Sequence, residues 1–453
     1  MKIATLVLLA FLTPYGFAQT HTTAAGTSSE IDVVYPAAYA LYLDIHQHPE
    51  LSTLEIETAA KMTGHLRELG YEVTEHVGGT GVVALMRNGV GPTIMLRTEL
   101  DALPVEEQTG LPYASKVRVK DPSGQEVPVM HACGHDLHMA ALYGTAAIMA
   151  HSKNSWQGTL VLIGQPAEET ISGAKKMLDD GFLSRFPRPD AGVALHVGNE
   201  VPAGEVAVRS GYLLASADSI RVTIYGKGAH GALPETSIDP VVIAARTVIA
   251  LQTIVSREVA PGQAAVVTVG YIHAGTKNNI IPDQAELGLT VRTYEPGIRK
   301  HVLASIDRII KAEAEAAGAP QPPLIDHYES TSALYEDPYL VKRLTPVLES
   351  ALGKDKVESV PPIMASEDYS YFIEAGIPSF FYVLGGPSPQ KFTRAKMTGV
   401  PLPSNHSPLF APDAQPALRT AIAAEVAVLR NLLSGSGNNL RKSLRAQPFM
   451  GGL

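Results

Sequence analysis

The chain has 453 residues, of which 45% are hydrophobic and 18% are charged, an ordinary balance for a globular protein. Its formal net charge of −9 argues against a protein that binds the nucleic-acid backbone, because such proteins normally present a basic face. The length predicts about two to three compact units with a sizeable core, and beyond the N-terminus we expect no segment apolar for long enough to cross a bilayer.

The N-terminus has the features of a secretory signal. Lys2 precedes a largely apolar run, 3–12, and the small residues Gly16 and Ala18 follow it. We therefore expect a signal peptide, 1–18, and an exported protein, periplasmic or secreted, with no membrane association after its removal. The run is too short, and its flanks too typical of a signal, for a membrane anchor or a buried helix to be preferred.

Strands and helices alternate in the first part of the folded chain, which we expect to begin near Ile31. The spacing of Ser52 and Glu55 is that of a capping box and predicts a helix from there to Leu69. This alternation indicates a mostly parallel sheet with helices on its faces, and such sheets place ligand sites at the carboxyl ends of their strands. The other predicted elements are strands at 82–86, 93–97, 159–163 and 193–196, and helices at 137–149 and 173–180.

The pattern changes between residues 215 and 323. The predicted order there is close to a small split β-α-β unit with an antiparallel sheet, and the Pro-rich stretch 320–323 is interpreted as the return linker. We therefore predict an α/β protein with two domains. The main domain, 31–214 and 324–433, contains the mixed, mostly parallel sheet, and an α+β (ferredoxin-like) domain, 215–323, is inserted in it. The Gly/Ser/Asn/Arg-rich tail, 434–453, is predicted to be flexible.

The only cysteine, Cys133, lies in the segment His131–His138 with three histidines and an aspartate. A lone cysteine cannot form an intramolecular disulfide, so in this segment it is interpreted as a metal-binding thiolate or a nucleophile. Imidazole and thiolate groups bind zinc and related metals. In an exported protein, metal binding would also protect the unpaired thiol. The alternative is a small buried cysteine beside histidines on a helix surface.

Further candidate ligand groups follow the predicted strands. Glu168 and Glu169 come after the strand at 159–163, and His196 ends the strand at 193–196. Adjacent carboxylates normally point apart, so one could bind a metal while the other acts on the water bound to it. Taken alone, such a pair is usually a solvated loop.

Six motifs, in this order, resemble those of the M20 metallopeptidase family. The most similar branch contains the amidohydrolases of N-acyl amino acids, including hippurate hydrolases and plant auxin-conjugate hydrolases. The similarity extends from about Ile31 to Leu433. The motifs are RTELDALP (97–104), HACGHD (131–136), QPAEE (165–169), GAHGA (228–232), NIIP (279–282) and SEDY (366–369).

The resemblance implies two divalent metal ions (zinc, manganese or cobalt) and Glu168 as the general base. In that mechanism the metals lower the pKa of a bridging water and orient the amide carbonyl, and Glu168 passes the water proton to the departing amine. Asp101 and Asp136 would orient ligands, and His131 and His138 would either do the same or be ordinary helix-end histidines. The implied metal ligands are Cys133, His135, Glu169, His196 and His406.

The resemblance also implies that the inserted domain mediates dimerisation, or covers the site as a lid, and contributes residues to the partner's active site. His230 would help to polarise the scissile carbonyl. Asn279 and Arg292 would bind the substrate's α-carboxylate, to which a planar guanidinium can donate two hydrogen bonds. We therefore expect a homodimer or higher homo-oligomer. From the residues alone, His230 could equally be a loop residue and Arg292 a surface arginine.

Together these observations predict an exported, metal-dependent amidohydrolase that cleaves the amide bond of N-acyl or N-aroyl amino acids. One alternative is a dipeptidase or carboxypeptidase with the same site. Another is a catalytically silent metal- or peptide-binding relative, against which the presence of Glu168 argues. A third is a cysteine hydrolase with Cys133 as nucleophile. Glu99 replaces the branch's usual Asp, and Tyr369 its commoner Phe, which leaves the fine geometry beside the metals open.

Overall fold

The computed structural model describes residues 24–121 and 123–434. The predicted signal peptide and the tail from residue 435 lie outside this range. The described helices, in chain order, are α1 (Ala24–Gln47), α2 (Ile56–Glu68), α3 (His135–His151), α4 (Gly173–Asp179), α5 (Phe182–Arg185), α6 (Pro240–Thr253), α7 (Pro296–Ala316), α8 (Pro338–Leu352), α9 (Ser370–Glu374), α10 (Pro389–Thr398) and α11 (Ala414–Leu432).

The described strands belong to two larger sheets and several short ribbons. In chain order they are β1 (Glu72–Thr74), β2 (Val82–Asn88), β3 (Thr93–Glu99), β4 (Arg118–Lys120), β5 (Glu126–Pro128), β6 (Gly158–Gln165), β7 (Ala191–Gly198), β8 (Val206–Val208), β9 (Gly211–Leu214), β10 (Ala217–Tyr225), β11 (Ala229–His230), β12 (Ala265–Ala274), β13 (Ile280–Ile281), β14 (Gln284–Thr293), β15 (Leu324–Thr331), β16 (Leu334–Glu336), β17 (Val357–Ser359) and β18 (Ser379–Gly385).

The larger sheet is mixed and has eight strands in the order β1-β2-β6-β3-β7-β18-β8-β17. Its central neighbours β6, β3, β7 and β18 run parallel. These strands are buried on both faces, which is why their sequences are continuous apolar runs. Helices α1, α3, α8 and α11 cover one face, and α4, α5 and α9 cover the other. The carboxyl ends of β6, β3 and β7 therefore lie side by side at one edge.

Helix α3 lies deep in the main domain and begins at that edge. Most of its residues are buried, which agrees with its small and apolar sequence. Gly144 permits the close approach of α11, because a Cβ at this position would lie 2.5 Å from Cδ1 of Ile422. The helix thereby presents its first turn, at His135, to the carboxyl ends of the strands.

The smaller sheet is antiparallel, with the strand order β12-β14-β10-β15. Its alternating strands bury one face under α6 and α7 and form a separate core. The two sheets confirm the predicted fold class, an α/β protein with a separate antiparallel α+β unit.

The predicted return to the main domain at residue 324 is too early. Strand β15, eight residues from Leu324 to Thr331, pairs with β10 at the edge of the smaller sheet. The Pro-rich stretch 320–323 is thus the connection from α7 to β15. The polar character of β15, with Asp326 and His327 exposed, is typical of an edge strand and hides the strand in the sequence.

Helix α2 begins later than the predicted capping box. Glu55, not Ser52, is its N-cap residue, and Glu55 makes no side-chain capping bond to the helix. Ser52 Oγ instead donates to Asp101 Oδ2 at 2.6 Å. The serine–glutamate spacing that suggested a cap therefore reflects contacts with the loops of the sheet edge.

One helical segment in the described part of the chain, Pro240–Glu258, is apolar and long enough by length and composition to cross a membrane. The expectation that no such segment follows the N-terminus was therefore wrong. The segment consists of α6 and a π-helical turn, and Ile243, Leu251 and Ile254 pack in the core of the smaller domain. We interpret it as a core helix for that reason.

Candidate active site

The predicted metal ligands converge at the edge where β6, β3 and β7 end. Glu168 and Glu169 follow β6, and His196 lies near the end of β7. Cys133 and His135 lie at the start of α3, and the loop before α11 contributes His406. The topology of the sheet thus brings together side chains that are as many as 273 positions apart in sequence.

The donor atoms of these five residues are near neighbours. Cys133 Sγ lies 3.4 Å from His196 Nε2 and 3.3 Å from His406 Nε2. Glu169 Oε2 lies 3.3 Å from His406 Nε2, and Glu169 Oε1 lies 4.0 Å from His135 Nε2. Two sets of three donors, Cys133–His135–His196 and Cys133–Glu169–His406, each fit within 4.8 Å. The two sets share the thiol, as two adjacent cations with a common ligand would require.

Hydrogen bonds at the outer ring nitrogens orient two of the histidines. His135 Nδ1 lies 2.8 Å from the Asp101 carbonyl oxygen, and His196 Nδ1 lies 2.9 Å from that of Val197. Since a carbonyl oxygen can only accept, each Nδ1 carries a proton, and in the neutral ring this leaves the lone pair on Nε2, which faces the centre. The buried atoms His135 Nε2 and Glu169 Oε1 have no hydrogen-bond partner among the residues that the structure describes. A metal ion would satisfy both, so the residues present fit the metal that the sequence predicts.

The loops at this edge contain strained backbone. Ala167 and Ile171, which flank the two glutamates, have φ angles of 50° and 51°, and His406 has a φ of 70°. Residues other than glycine rarely adopt this left-handed region, and such strain clusters at functional sites. The turn requires glycine at position 173, because a Cβ there would lie 1.5 Å from the Pro166 carbonyl oxygen.

Asn405, the residue before His406, is a further residue of the site that the motifs did not predict. Its side-chain amide donates to the carbonyl oxygens of Val197, at 3.0 Å, and Cys133, at 3.3 Å. The His406 amide also donates to the Ala132 carbonyl oxygen at 2.8 Å. These bonds hold the His406 loop against the segments that bear Cys133 and His196. The only signal in the sequence was its position next to a predicted ligand.

Burial shifts the pKa of most groups at the centre toward the uncharged form. It raises the pKa of the Cys133 thiol and of Glu168 well above their ordinary values, and that of Glu169 to about 7. It lowers the pKa of His196 well below its ordinary value. A bound cation reverses this tendency for the thiol and the carboxylates, because it favours the deprotonated ligand.

A buried ionic network lies behind Glu168. Arg97 donates to Glu99 and Glu367, and its Nη2–Glu367 Oε1 distance is 2.7 Å. Arg97 Nε also donates to Gln165 Oε1 at 3.0 Å, while the Gln165 amide donates to Asp368 Oδ1 at 2.6 Å. The network connects the ends of β3 and β6 with the start of α9. The motifs contain these residues, but no local pattern in the sequence predicts that they join in one network.

Glu99, which replaces the aspartate usual in the amidohydrolase branch, connects this network to α3. Its Oε2 lies 2.9 Å from His138 Nδ1, and His138 Nε2 accepts from the Val197 amide at 2.9 Å. Both ring nitrogens of His138 are therefore engaged, which leaves no lone pair for a metal. Its ring also packs against that of His196, with the centroids 4.8 Å apart. Glu99 and His138 thus support the carboxyl end of β7.

The other neighbouring residues differ in their contacts. Asp101 accepts from Ser52 and from the Glu169 amide at 2.9 Å, which places it behind His135 and Glu169. Asp136 Oδ2 instead lies 2.6 Å from His46 Nδ1, on the side of α3 that faces α1. His131 is 3% exposed, and neither ring nitrogen has a hydrogen-bond partner in the described residues.

The structure does not bring the three residues predicted on the inserted domain together. His230 is exposed on the β11–β13 ribbon, and the Gly231 amide donates to the Asn279 carbonyl oxygen at 2.8 Å. Arg292 lies near the far end of β14. It is eight residues after Gln284, the first residue of that strand, and thus about 27 Å from Gln284. There its Nη1 donates to Ser366 Oγ at 2.6 Å, next to the ionic network.

Comparison with known proteins identifies related sequences. A model of peptidase family M20/M25/M40 matches residues 95–396. The chain is 38% identical over 351 residues to an N-acetyl-L-cysteine deacetylase of Bacillus subtilis, covering 75% of this chain and 78% of the relative. It is 35% identical over 376 residues to the IAA-amino acid hydrolase ILR1-like 2 of Arabidopsis thaliana, covering 81% and 78%.

A solved structure has the same fold. It is a Bacillus subtilis protein described as a dinuclear metal-binding peptidase from the M20 family. The TM-score is 0.69 at 30% sequence identity, and the match covers 88% of this chain and 98% of the solved one. Its two metals accord with the two overlapping donor sets around Cys133.

Proposed function

Because this chain belongs to peptidase family M20/M25/M40 and is a metal-dependent hydrolase of amide bonds, we propose that it cleaves N-acyl or N-aroyl amino acids. The products would be a carboxylic acid and a free amino acid. The main observation in support is the convergence of five nitrogen, oxygen and sulfur donors beside Glu168, whose carboxylate lies 3.9 Å from His135 Nε2.

The donor set supports a site for two divalent ions held by Cys133, His135, Glu169, His196 and His406. Thiolate and imidazole ligands favour zinc, manganese or cobalt over magnesium. When bound, such ions act as Lewis acids and lower the pKa of water.

In this proposal Glu168 is the general base. It is 7% exposed, and the one ion pair it forms among the described residues is the 3.9 Å contact with His135 Nε2, which is longer than the shortest contacts within the donor set. Glu168 would accept a proton from the attacking water and deliver it to the departing amine. Glu169, whose oxygens face His135 and His406, is the better placed of the two glutamates to bind metal.

We propose that a second copy of the chain completes the substrate site. Within one chain His230 and Asn279 lie far from Arg292, so one copy would supply Arg292 and the metal centre and the other would supply His230 and Asn279. Two features of the smaller domain favour self-association. Its strand β12 is an edge strand, and the outer face of α6 exposes Val242 (54%) and Ile249 (72%).

Export of the protein, to the periplasm or the medium, is proposed from the sequence of residues 1–18, outside the described range. If this proposal is right, the mature protein recovered from its native host begins at Gln19. Mass spectrometry of the intact protein gives the answer, and retention of Met1 or Lys2 would contradict export by this route.

A chromatographic screen of substrates tests the proposed function. Hippurate, N-acetyl amino acids, indole–amino acid conjugates and dipeptides are each incubated with the protein and zinc, manganese or cobalt. We expect metal-dependent release of the free amino acid from acyl or aroyl compounds. Faster cleavage of dipeptides would favour a peptidase, and no cleavage of any compound with any metal would favour a silent binding protein.

A further inference from the structure

Glu55 is a buried carboxylate that the proposed mechanism does not use. It is 0% exposed and lies at the N-terminus of α2, yet it does not cap that helix. Its Oε1 accepts from the backbone amides of Thr53 and Ala167, each at 2.8 Å. Its Oε2 accepts from Thr80 Oγ1 at 2.5 Å. One side chain thus connects three loops that are far apart in sequence.

Both amides bound by Glu55 Oε1 belong to residues with strained backbone. Thr53 has a φ of 70° and Ala167 a φ of 50°, and neither is glycine. Such conformations persist only where surrounding contacts hold them. Ala167 immediately precedes Glu168 and Glu169, so its dihedral angles determine where both carboxylates point.

The same turn supports the second glutamate by another path. Ser52 Oγ donates to Asp101 Oδ2, and that oxygen also accepts from the Glu169 amide at 2.9 Å. The segment 52–55 is therefore hydrogen-bonded, directly or through one residue, to the backbone on both sides of Glu168. A helix cap would not require these contacts.

We propose that Glu55 is a positioning residue for the hydrolysis reaction: it holds Ala167 in its left-handed conformation and thereby aims Glu168 at the attacking water. The inference rests on the proposed role of Glu168 as the base. Glu55 touches neither substrate nor the metal donors. It acts through the backbone of the 166–173 turn.

Glu50 provides a matched control. It lies in the same loop, and its side chain accepts from the backbone amides of Thr58, at 2.7 Å, and Glu57, at 3.2 Å. It therefore caps α2, and within the described part of the chain its side chain forms no hydrogen bond with the turn at Ala167. Loss of Glu50 should affect stability through the helix and leave the catalytic turn in place.

The test compares Glu55→Ala, Glu55→Gln and Glu50→Ala in the metal-loaded protein. We expect Glu55→Ala to lower kcat about 100-fold, the cost of a displacement of about 1 Å, with KM and metal content close to those of Glu50→Ala. Glu55→Gln should retain most of the turnover. Its amide oxygen can accept both backbone N–H bonds and its NH2 group can donate to the Thr80 hydroxyl.

Equal kcat values for folded, metal-loaded Glu55→Ala and Glu50→Ala would overturn the proposal, because Glu55 would then only stabilise the fold. If Glu55→Ala does not fold, the Glu55→Asp and Glu50→Asp pair is judged by the same criterion, since the shorter side chain cannot span both loops. Glu168→Gln is measured alongside. Full activity of that variant would refute the proposed base itself. If Glu168→Gln loses activity while Glu55→Ala and Glu50→Ala have equal kcat values, only the role of Glu55 is refuted.

Discussion

The carboxyl edge of the larger sheet and the smaller domain contrast in how far one chain completes a site. At the edge, five predicted donors from four segments lie within a few ångströms of one another, and hydrogen bonds to backbone carbonyl oxygens orient two of the histidines. In the smaller domain, His230 is exposed on the β11–β13 ribbon, whereas Arg292 lies near the far end of β14 in the four-stranded sheet.

The difference follows from topology. Parallel strands end together, so residues that follow different strands meet without any contact between distant loops. An antiparallel strand carries the chain from one end of the domain to the other, and residues before and after β14 are separated by its length. We therefore propose that one chain holds the metal centre, whereas the substrate site implied by the family resemblance needs a second copy.

The largest expected effect is at the metal edge. Glu168→Gln should lower kcat by about 10³-fold, within the range for loss of a general base, while both metals remain bound. Stopped assays of product release and elemental analysis of the same preparation give the two quantities. Glu169→Gln is the paired control and should lose metal. If Glu168→Gln loses metal and Glu169→Gln retains it, the roles of the two glutamates are reversed.

Removal of the shared donor, Cys133, should lower the metal content without changing the fold. Cys133→Ala deletes the one atom common to both donor sets, so we expect metal content, measured by elemental analysis after dialysis, to fall clearly below that of the wild type. The far-UV circular dichroism should be unchanged, because the side chain is small. Unchanged metal stoichiometry would remove Cys133 from the ligands.

The smaller domain can be tested by subunit mixing. His230→Ala and Glu168→Ala should each be nearly inactive, but an exchanged 1:1 mixture should regain about a quarter of the wild-type activity, since half the dimers would be mixed and one of their two sites intact. His301→Ala, which removes another exposed histidine of this domain, on α7 and outside β12 and α6, is the matched control and should be active alone. No recovery despite demonstrated exchange would place His230 outside the partner's site.

The smallest expected effect is on the stability of the fold and comes from His46, which pairs with Asp136 of α3. Burial opposes protonation of His46, but Asp136 and Glu107 outweigh it and raise its pKa to about 10. A raised pKa means that this stabilisation is complete below the ordinary histidine pKa and is lost as pH rises toward 10. The pKa values of Asp136 and Glu107 are lowered despite burial, so their share is lost at acid pH.

Urea denaturation of His46→Asn measures that contribution. The variant should be less stable by on the order of 2 kcal/mol near pH 6, and the difference should shrink between pH 7 and 10. His48→Asn, whose histidine side chain is 62% exposed near the end of the same helix, should match the wild type throughout. A constant difference at every pH would contradict the charged state of His46.

Much of the main domain could be predicted from the sequence because its signals are strong and local. The buried strands β3, β6 and β7 are apolar runs, and α3 begins next to the only cysteine. The family resemblance, now confirmed, then identified the proposed metal ligands among the many histidines and acidic residues.

The remaining features depend on contacts across long sequence separations. Arg97 and Glu367 are 270 positions apart, so no local pattern could pair them. Ser52 and Glu55 have the local pattern of a helix cap, but tertiary contacts with Asp101 and Ala167 take precedence. Strand β15 was missed because an exposed edge strand has little apolar periodicity.

Chelation followed by metal titration tests the central claim, a catalytic two-metal centre held by the residues of one chain, most directly. Exhaustive EDTA treatment should abolish amide hydrolysis, and zinc, manganese or cobalt should restore it, with the titration ending at two ions per chain as in the dinuclear relative. Activity that survives chelation but is lost on treatment with iodoacetamide would contradict the claim and identify Cys133 as a nucleophile.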